Sequence, residues 1–192
     1  MERNSQNSQG YKLESQIREA YGRVTYTQTC HDKIISRLLK TNNRIKLWQI
    51  VLSAITTSGF IVAIFSKDKV ASIVGAIISL ILLVLNSYVK NFNLVEIAHK
   101  HKVASDCLWK IREEYVSLLT DFDILELEVI MQKRDELQER TSEVYISSPR
   151  TDGKSYSEAQ KALKYNEEQT FSENEIDIML PNSIRRSNRE MK

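Results

Sequence analysis

Two apolar runs dominate the chain, residues 47–65 and 70–89, with only Ser66, Lys67, Asp68 and Lys69 between them. Each is about the twenty residues a helix needs to cross a hydrocarbon core of roughly 30 Å. Neither contains a charged side chain. A buried helix of a soluble protein usually keeps a polar face, whereas the polar groups here are small hydroxyls and amides. The pattern predicts an all-α membrane protein built on a two-span transmembrane hairpin, with spans at 47–65 and 70–89 and an external loop at 66–69.

The polar flanks carry a second periodicity. After the second span, Leu94, Ile97, His101, Ala104, Leu108, Ile111, Tyr115, Leu118, Phe122, Leu125 and Val129 recur at alternating spacings of three and four, which is a heptad seam. The N-terminal arm repeats it more weakly in Leu13, Ile17, Ala20, Val24, Thr27, His31, Ile34, Leu38, Thr41, Ile45 and Trp48. No proline precedes Pro149, and no glycine lies between Gly75 and Gly153. One helix is therefore expected from Val70 to near Gln138. The two arms, 11–46 and 90–138, then form a long antiparallel cytoplasmic coiled-coil hairpin continuous with the spans. Folding about the loop pairs residues whose numbers sum to about 135, and this sets Val24 on Ile111, Ile17 on Leu118, Ile34 on His101, Leu38 on Ile97 and Thr27 on Leu108.

Beyond Gln138 the seam decays into a segment rich in hydroxyls and breakers, read as a linker over 139–154. In the tail, 155–192, Ser155 with Glu158 and Ser172 with Glu175 have capping-box spacing. They predict two short helices near 156–165 and 173–180. Arg185, Arg186, Arg189 and Lys192 make a basic end.

Charge sets the orientation. Lys33, Arg37, Lys40, Arg44 and Lys46 precede the first span and Lys90, Lys100 and Lys102 follow the second, against Lys67 and Lys69 in the loop. The positive-inside bias places both termini in the cytoplasm of a multi-pass protein. Trp48, Tyr88 and Phe92 fall at the inner interface. The net charge of +2 gives no bulk attraction for nucleic acid, so direct nucleic-acid binding is not expected. Two cysteines make no disulfide framework.

No phosphate loop, zincin helix or G-x-S-x-G elbow is present, and catalytic residues and cofactors are not expected. Cys30, His31, His99, His101 and Cys107 lie at similar depth on the two arms, but no close C-x-x-C pair pre-forms a metal site. Histidines on a seam are ordinarily neutral rings bonded to neighbours, so no metal is expected. The spans carry two polar stripes. Gln49, Ser53 and Thr56, continuing through Phe60 and Ile64, are read as lining a lumen gated by dewetting. Ser72, Gly75 and Ser79, with Gly59 facing Ala76, are read as close helix packing. Two spans per chain enclose a lumen only in a homo-oligomer of about four or more subunits.

Helix, tight two-span hairpin and long returning helix, with the texture Tyr21-Gly22-Arg23 and Trp109-Lys-Ile-Arg-Glu-Glu-Tyr115, resemble the SLATT effectors of bacterial defence. The resemblance covers residues 11–138 and leaves the tail outside the common core. It implies a non-enzymatic effector in the inner membrane, encoded beside a nucleotide second-messenger synthase, SLOG-type sensor or reverse transcriptase, that perforates the membrane on infection. The alternative is a non-conducting membrane scaffold whose coils recruit a cytoplasmic partner. A transporter is disfavoured, since the spans contain neither a charge nor a helix-breaking interruption.

Overall fold

The computed structural model describes residues 2–66 and 69–186, with the side chains of 2–7, 60–66 and 71 outside that description. Six helices follow in order: α1 Glu2–Ser66, α2 Lys69–Asn91, α3 Leu94–Thr120, α4 Leu127–Ser147, α5 Gly153–Lys164 and α6 Glu173–Met179. No strand occurs among the described residues. With no proline to interrupt it, α1 runs for 65 residues, which at 1.5 Å per residue is about 98 Å. Its first half packs on α3, α4 and α5 and its last third packs antiparallel on α2.

One helix from Val70 to Gln138 does not form. It breaks at Phe92–Asn93, where the Asn93 side chain caps α3 by accepting from the Glu96 N–H at 3.1 Å. A side-chain acceptor placed to satisfy an orphan donor starts a helix as effectively as a proline ends one. It breaks again over residues 121–126, where the Asp121 carbonyl accepts from Ile124 and Leu125 in a turn. The second break reverses the chain, so α4 returns along α3 and α1 instead of extending the arm.

After each break one expected seam position gives way to its neighbour. On α3 the inward positions are Leu94, Ala98, His101, Ala104, Leu108, Ile111, Tyr115 and Leu118, while Ile97, expected on the seam, is 36% exposed. On α4 Ile130 is fully buried and Val129, the expected member, is exposed. Leu13, Ile17, Ala20 and Val24 of α1 meet Leu108, Ile111, Tyr115 and Leu118 of α3 and Ile130 and Leu137 of α4 in one core. Completely burying Ile17, Leu108 or Ile130 stabilises this end by roughly 1.5–3 kcal/mol each. Arg140 closes α4 onto α3 with two bonds to Glu114, at 2.6 and 2.7 Å. Ile34 is buried in the α1 seam and Leu38 is half-buried.

The tail also differs from the expected layout. Because α4 extends to Ser147, the connector shrinks to residues 148–152. The first tail helix starts earlier than expected, with Asp152 as N-cap and Ser155 as its capping-box partner, so Ser155 is not itself the cap. Its inner face, Ser155, Ala159 and Ala162, is buried, and small residues there let α5 lie close along α1. The second helix has the expected Ser172–Glu175 box. The basic residues Arg189 and Lys192 and the loop residues Lys67 and Asp68 lie outside the described residues.

Candidate functional site

Two regions concentrate the polar chemistry: the apolar hairpin, and a junction below it where α1, α3 and the tail meet. In the hairpin, half-buried residues recur at Gln49, Leu52, Thr56 and Gly59 on α1 and at Gly75, Ile78, Leu82 and Leu85 on α2. These are the spacings of two helices sharing a face. Gln49 donates to the Asn86 side-chain oxygen at 2.8 Å. Of the stripe read as lumen-lining, Gln49 and Thr56 are thus turned partly toward α2, whereas Ser53 is exposed. Thr56 returns its hydroxyl to the Leu52 carbonyl at 2.8 Å. Phe60 and Ile64 have side chains outside the described set. Of the packing set, Gly59 and Gly75 are half-buried while Ser72, Ala76 and Ser79 are exposed on the hairpin's outer surface. A Cβ at Gly59 or Gly75 would meet nothing within 4 Å.

Among the described residues one stretch, within Ser72–Thr120, is long and apolar enough to cross a bilayer, and none of its most apolar window is buried. Val70, Ile73, Ile77, Leu80, Leu83 and Val84 are each more than half exposed. Water would make that arrangement costly, at about 25 cal/mol for each Å² of apolar surface, and lipid removes the penalty.

At the junction, His31 of α1 and His101 of α3 are both buried, with their Nδ1 atoms 2.7 Å apart. One ring must donate an Nδ1–H and the other accept it, and since burial disfavours the charged form of both, the pair is neutral and holds different tautomers. Burial, then the neighbouring His101, lowers the His31 pKa to about 4. Burial likewise lowers His101, with Asp152 pulling it up and Arg37 pushing it down. The partner expected for His101 is Ile34, whereas the bonded one is His31, three positions earlier on α1. One turn away the Ser105 hydroxyl donates to Asp32 at 2.6 Å, and burial pushes the Asp32 carboxyl up against that bond.

The tail clasps this junction. Arg37 pairs with Asp152 and with Glu158, the latter at 3.3 Å, and Lys33 pairs with Glu168 at 2.7 Å. Gln169 donates to Thr29 at 3.0 Å and accepts from Arg112, which joins α1, α3 and the tail in one network. Asp152 is held below the usual carboxylate range, first by the Ser155 N–H and further by Arg37. Of Cys30, His31, His99, His101 and Cys107, the two seam histidines bond each other. Cys30 is buried beside Ser155, and burial pushes its thiol up, while Cys107 is half-buried and His99 exposed. The described residues hold no group of three or more His, Cys, Asp or Glu able to bind a metal. The sequence pattern gave no sign of the Arg37 and Lys33 clasp, because its acceptors lie more than 110 positions away.

No match is found among curated proteins or among solved structures. The sequence model of one family, the SMODS and SLOG-associating 2TM effector domain family 4, matches residues 13–175. That range overturns the boundary at Gln138: it includes the end of α4, all of α5 and the Ser172–Glu175 cap, so the clasp lies within the family domain. The description and the uncovered apolar stretch agree on a membrane effector. This chain belongs to the SMODS and SLOG-associating 2TM effector domain family 4.

Proposed function

We propose that the protein is an oligomeric pore-forming effector of a bacterial anti-phage system. Both arms lie in the cytoplasm, 47–65 and 70–89 span the inner membrane, and a co-encoded sensor, nucleotide signal or reverse-transcriptase product triggers opening. The observation that carries the reading is the outer surface of the hairpin. One apolar hairpin leaves Ser53 and Ser79 outside its own packing face, together with most of the aliphatic surface of α2. Lipid satisfies the aliphatic surface, and neighbouring copies satisfy hydroxyl stripes through close packing or a shared wet lumen. The first span lines the lumen through Ser53, with Gln49 and Thr56 at its edge and Phe60 and Ile64 as its dry constriction. The second span packs subunits through Ser72, Gly75 and Ser79. The tail, held by Arg37 and Lys33, acts as the control element. The family's association with SMODS and SLOG supports a co-encoded partner.

The test is membrane-potential dye uptake and growth on expressing the chain with and without its genomic neighbours, together with conductance of the purified protein in planar bilayers. Depolarisation in step with growth arrest supports the pore. A chain that never depolarises cells and gives no conductance, yet still captures a cytoplasmic partner, is a scaffold.

A further inference from the structure

Between α5 and α6 the chain runs through Tyr165-Asn-Glu-Glu-Gln-Thr-Phe-Ser172 without a glycine or proline, yet it folds back on the end of α5. Glu167 makes the turn with a φ of 51°, and it is the only residue in the left-handed region among those described. A side chain with a Cβ is disfavoured there. Asparagine tolerates that region better, but Asn166 stands one position away from it. Such a backbone persists only where its surroundings over-determine it.

Those surroundings are the two residues that follow. Glu168 donates its N–H to the Ala162 carbonyl at 3.1 Å, and its carboxylate accepts from Lys33 at 2.7 Å. Gln169 uses both ends of its amide: the nitrogen donates to Thr29 at 3.0 Å, and the oxygen accepts from Arg112. Thr29 is buried, and the Arg112 side chain is only 16% exposed. Apart from Gln169, Arg112 reaches Gln28 at 3.4 Å, and its Nε lies 3.4 Å from the Glu113 carboxylate without bonding it. A largely buried cation that loses a hydrogen bond is costly, so Arg112 draws Gln169 inward. Beyond the strap the chain closes on itself. Arg185 donates to the Leu180 and Ile178 carbonyls, both at 2.8 Å, and Arg186 to Glu173 at 2.5 Å. None of the extensive contacts between helices involves α6. The strap therefore sets where α6, with its exposed Ile178 and Met179, stands.

We infer that residues 165–170 form a strained latch, in which the Gln169 amide, seated on Thr29 and Arg112, holds the strap closed against the left-handed backbone of Glu167. Withdrawing Gln169 lets Glu167 relax to a negative φ, and the strap opens with α6 attached. The strain narrows the margin by which the closed state is preferred, so a modest pull on α6 opens it. That opening bears on the trigger rests on the proposed role of the tail, whereas the latch itself does not.

The experiment follows hydrogen exchange of the Glu168 and Thr170 amides in the full chain in nanodiscs, corrected for the intrinsic rate that each sequence sets. Glu167→Ala removes the charge and keeps the Cβ, so it should exchange as the wild type does. Glu167→Gly removes the strain and should exchange about threefold or more slowly than Glu167→Ala, even after the extra chain entropy of glycine is counted. Gln169→Ala should accelerate exchange about tenfold or more, as expected for the loss of a hydrogen bond to a charged group. Melting curves check the fold, and if Gln169→Ala fails to fold, the exposed Glu167 pair decides alone. Exchange in Glu167→Gly as fast as in Glu167→Ala, or a folded Gln169→Ala that exchanges like the wild type, overturns the latch. If Glu167→Gly slows exchange as expected but leaves toxicity unchanged, the control role of the tail fails and the latch stands.

Discussion

The side-chain amide of Gln49 donates to the side-chain oxygen of Asn86 across 2.8 Å, a pair whose numbers sum to 135. It ties the ends of the two apolar helices remote from their connecting loop at one register. Interhelical polar bonds in lipid average about 0.6 kcal/mol and reach about 1.7, so Gln49→Leu should loosen the hairpin without unfolding it. In a chain lacking Cys30 and Cys107, Gln49→Cys with Asn86→Cys should cross-link within one molecule under mild oxidation. Moving either cysteine by two positions should abolish that product, and equal yields from the shifted pairs would show that the register is not fixed.

The buried histidine pair makes the module of α1, α3 and α5 acid-sensitive. Both folded-state pKa values lie below the ordinary 6.5, His31 at about 4. The unfolded chain then binds more protons than the folded one between those values. Stability from the neutral pair is complete above about pH 6.5 and is lost as pH falls toward 4. Asp32, whose carboxyl is raised by burial, titrates with the opposite sign. The test therefore compares the wild type with His31→Leu, His101→Leu, in which the contribution of Asp32 cancels. Melting temperature should fall between pH 6.5 and 4.5 in the wild type by several degrees more than in the double variant; parallel curves would refute the account.

Much of this was legible in the residues, and what was not has physical causes. The apolar runs and the α1 seam at Leu13, Ile17, Ala20 and Val24 needed only periodicity, because α1 is never interrupted. Proline and glycine do not mark the α2–α3 break, but Asn93 and Glu96 stand at capping-box spacing and do. Once that cap is seen, Ala98 replaces Ile97 on the inner face. The turn at 121–126 has no such signature: Glu126 makes no side-chain cap bond, and α4 folds back for the sake of burying Ile130 and Leu137. The clasp was illegible for another reason. Arg37, Lys33, Asp152 and Glu168 look like ordinary solvated charges until tertiary structure brings them together.

The clasp predicts a graded effect on the tail. Asp152→Ala removes both the α5 N-cap, worth about 1 kcal/mol, and the partner of Arg37. Limited proteolysis should then cut within 148–152 at least several-fold faster, while α1, α3 and α4 stay protected. Glu158→Gln, which leaves the cap intact, should accelerate cleavage less. Deleting residues 155–192 should preserve oligomers in detergent and change toxicity; a monomeric truncated chain would make the tail an assembly element instead.

Gly75 separates packing within a chain from packing between chains. A Cβ there meets nothing within 4 Å in one molecule, and alanine improves helix propensity by about 1 kcal/mol. Gly75→Ala should therefore leave the hairpin intact by the Gln49–Asn86 cross-link. If the second span joins subunits, Gly75→Leu should still permit that cross-link yet dissolve the oligomer in detergent, because a Cβ there meets nothing of its own chain and the added bulk is left for a neighbouring copy to meet. The first span has the complementary test. Phe60→Ser wets the proposed constriction, so cells expressing it without the trigger should depolarise, whereas Ser79→Asp should alter assembly and not ion selectivity. Should Phe60→Ser be silent while Ser79→Asp shifts selectivity, the spans exchange roles: the second lines the lumen and the first joins the subunits.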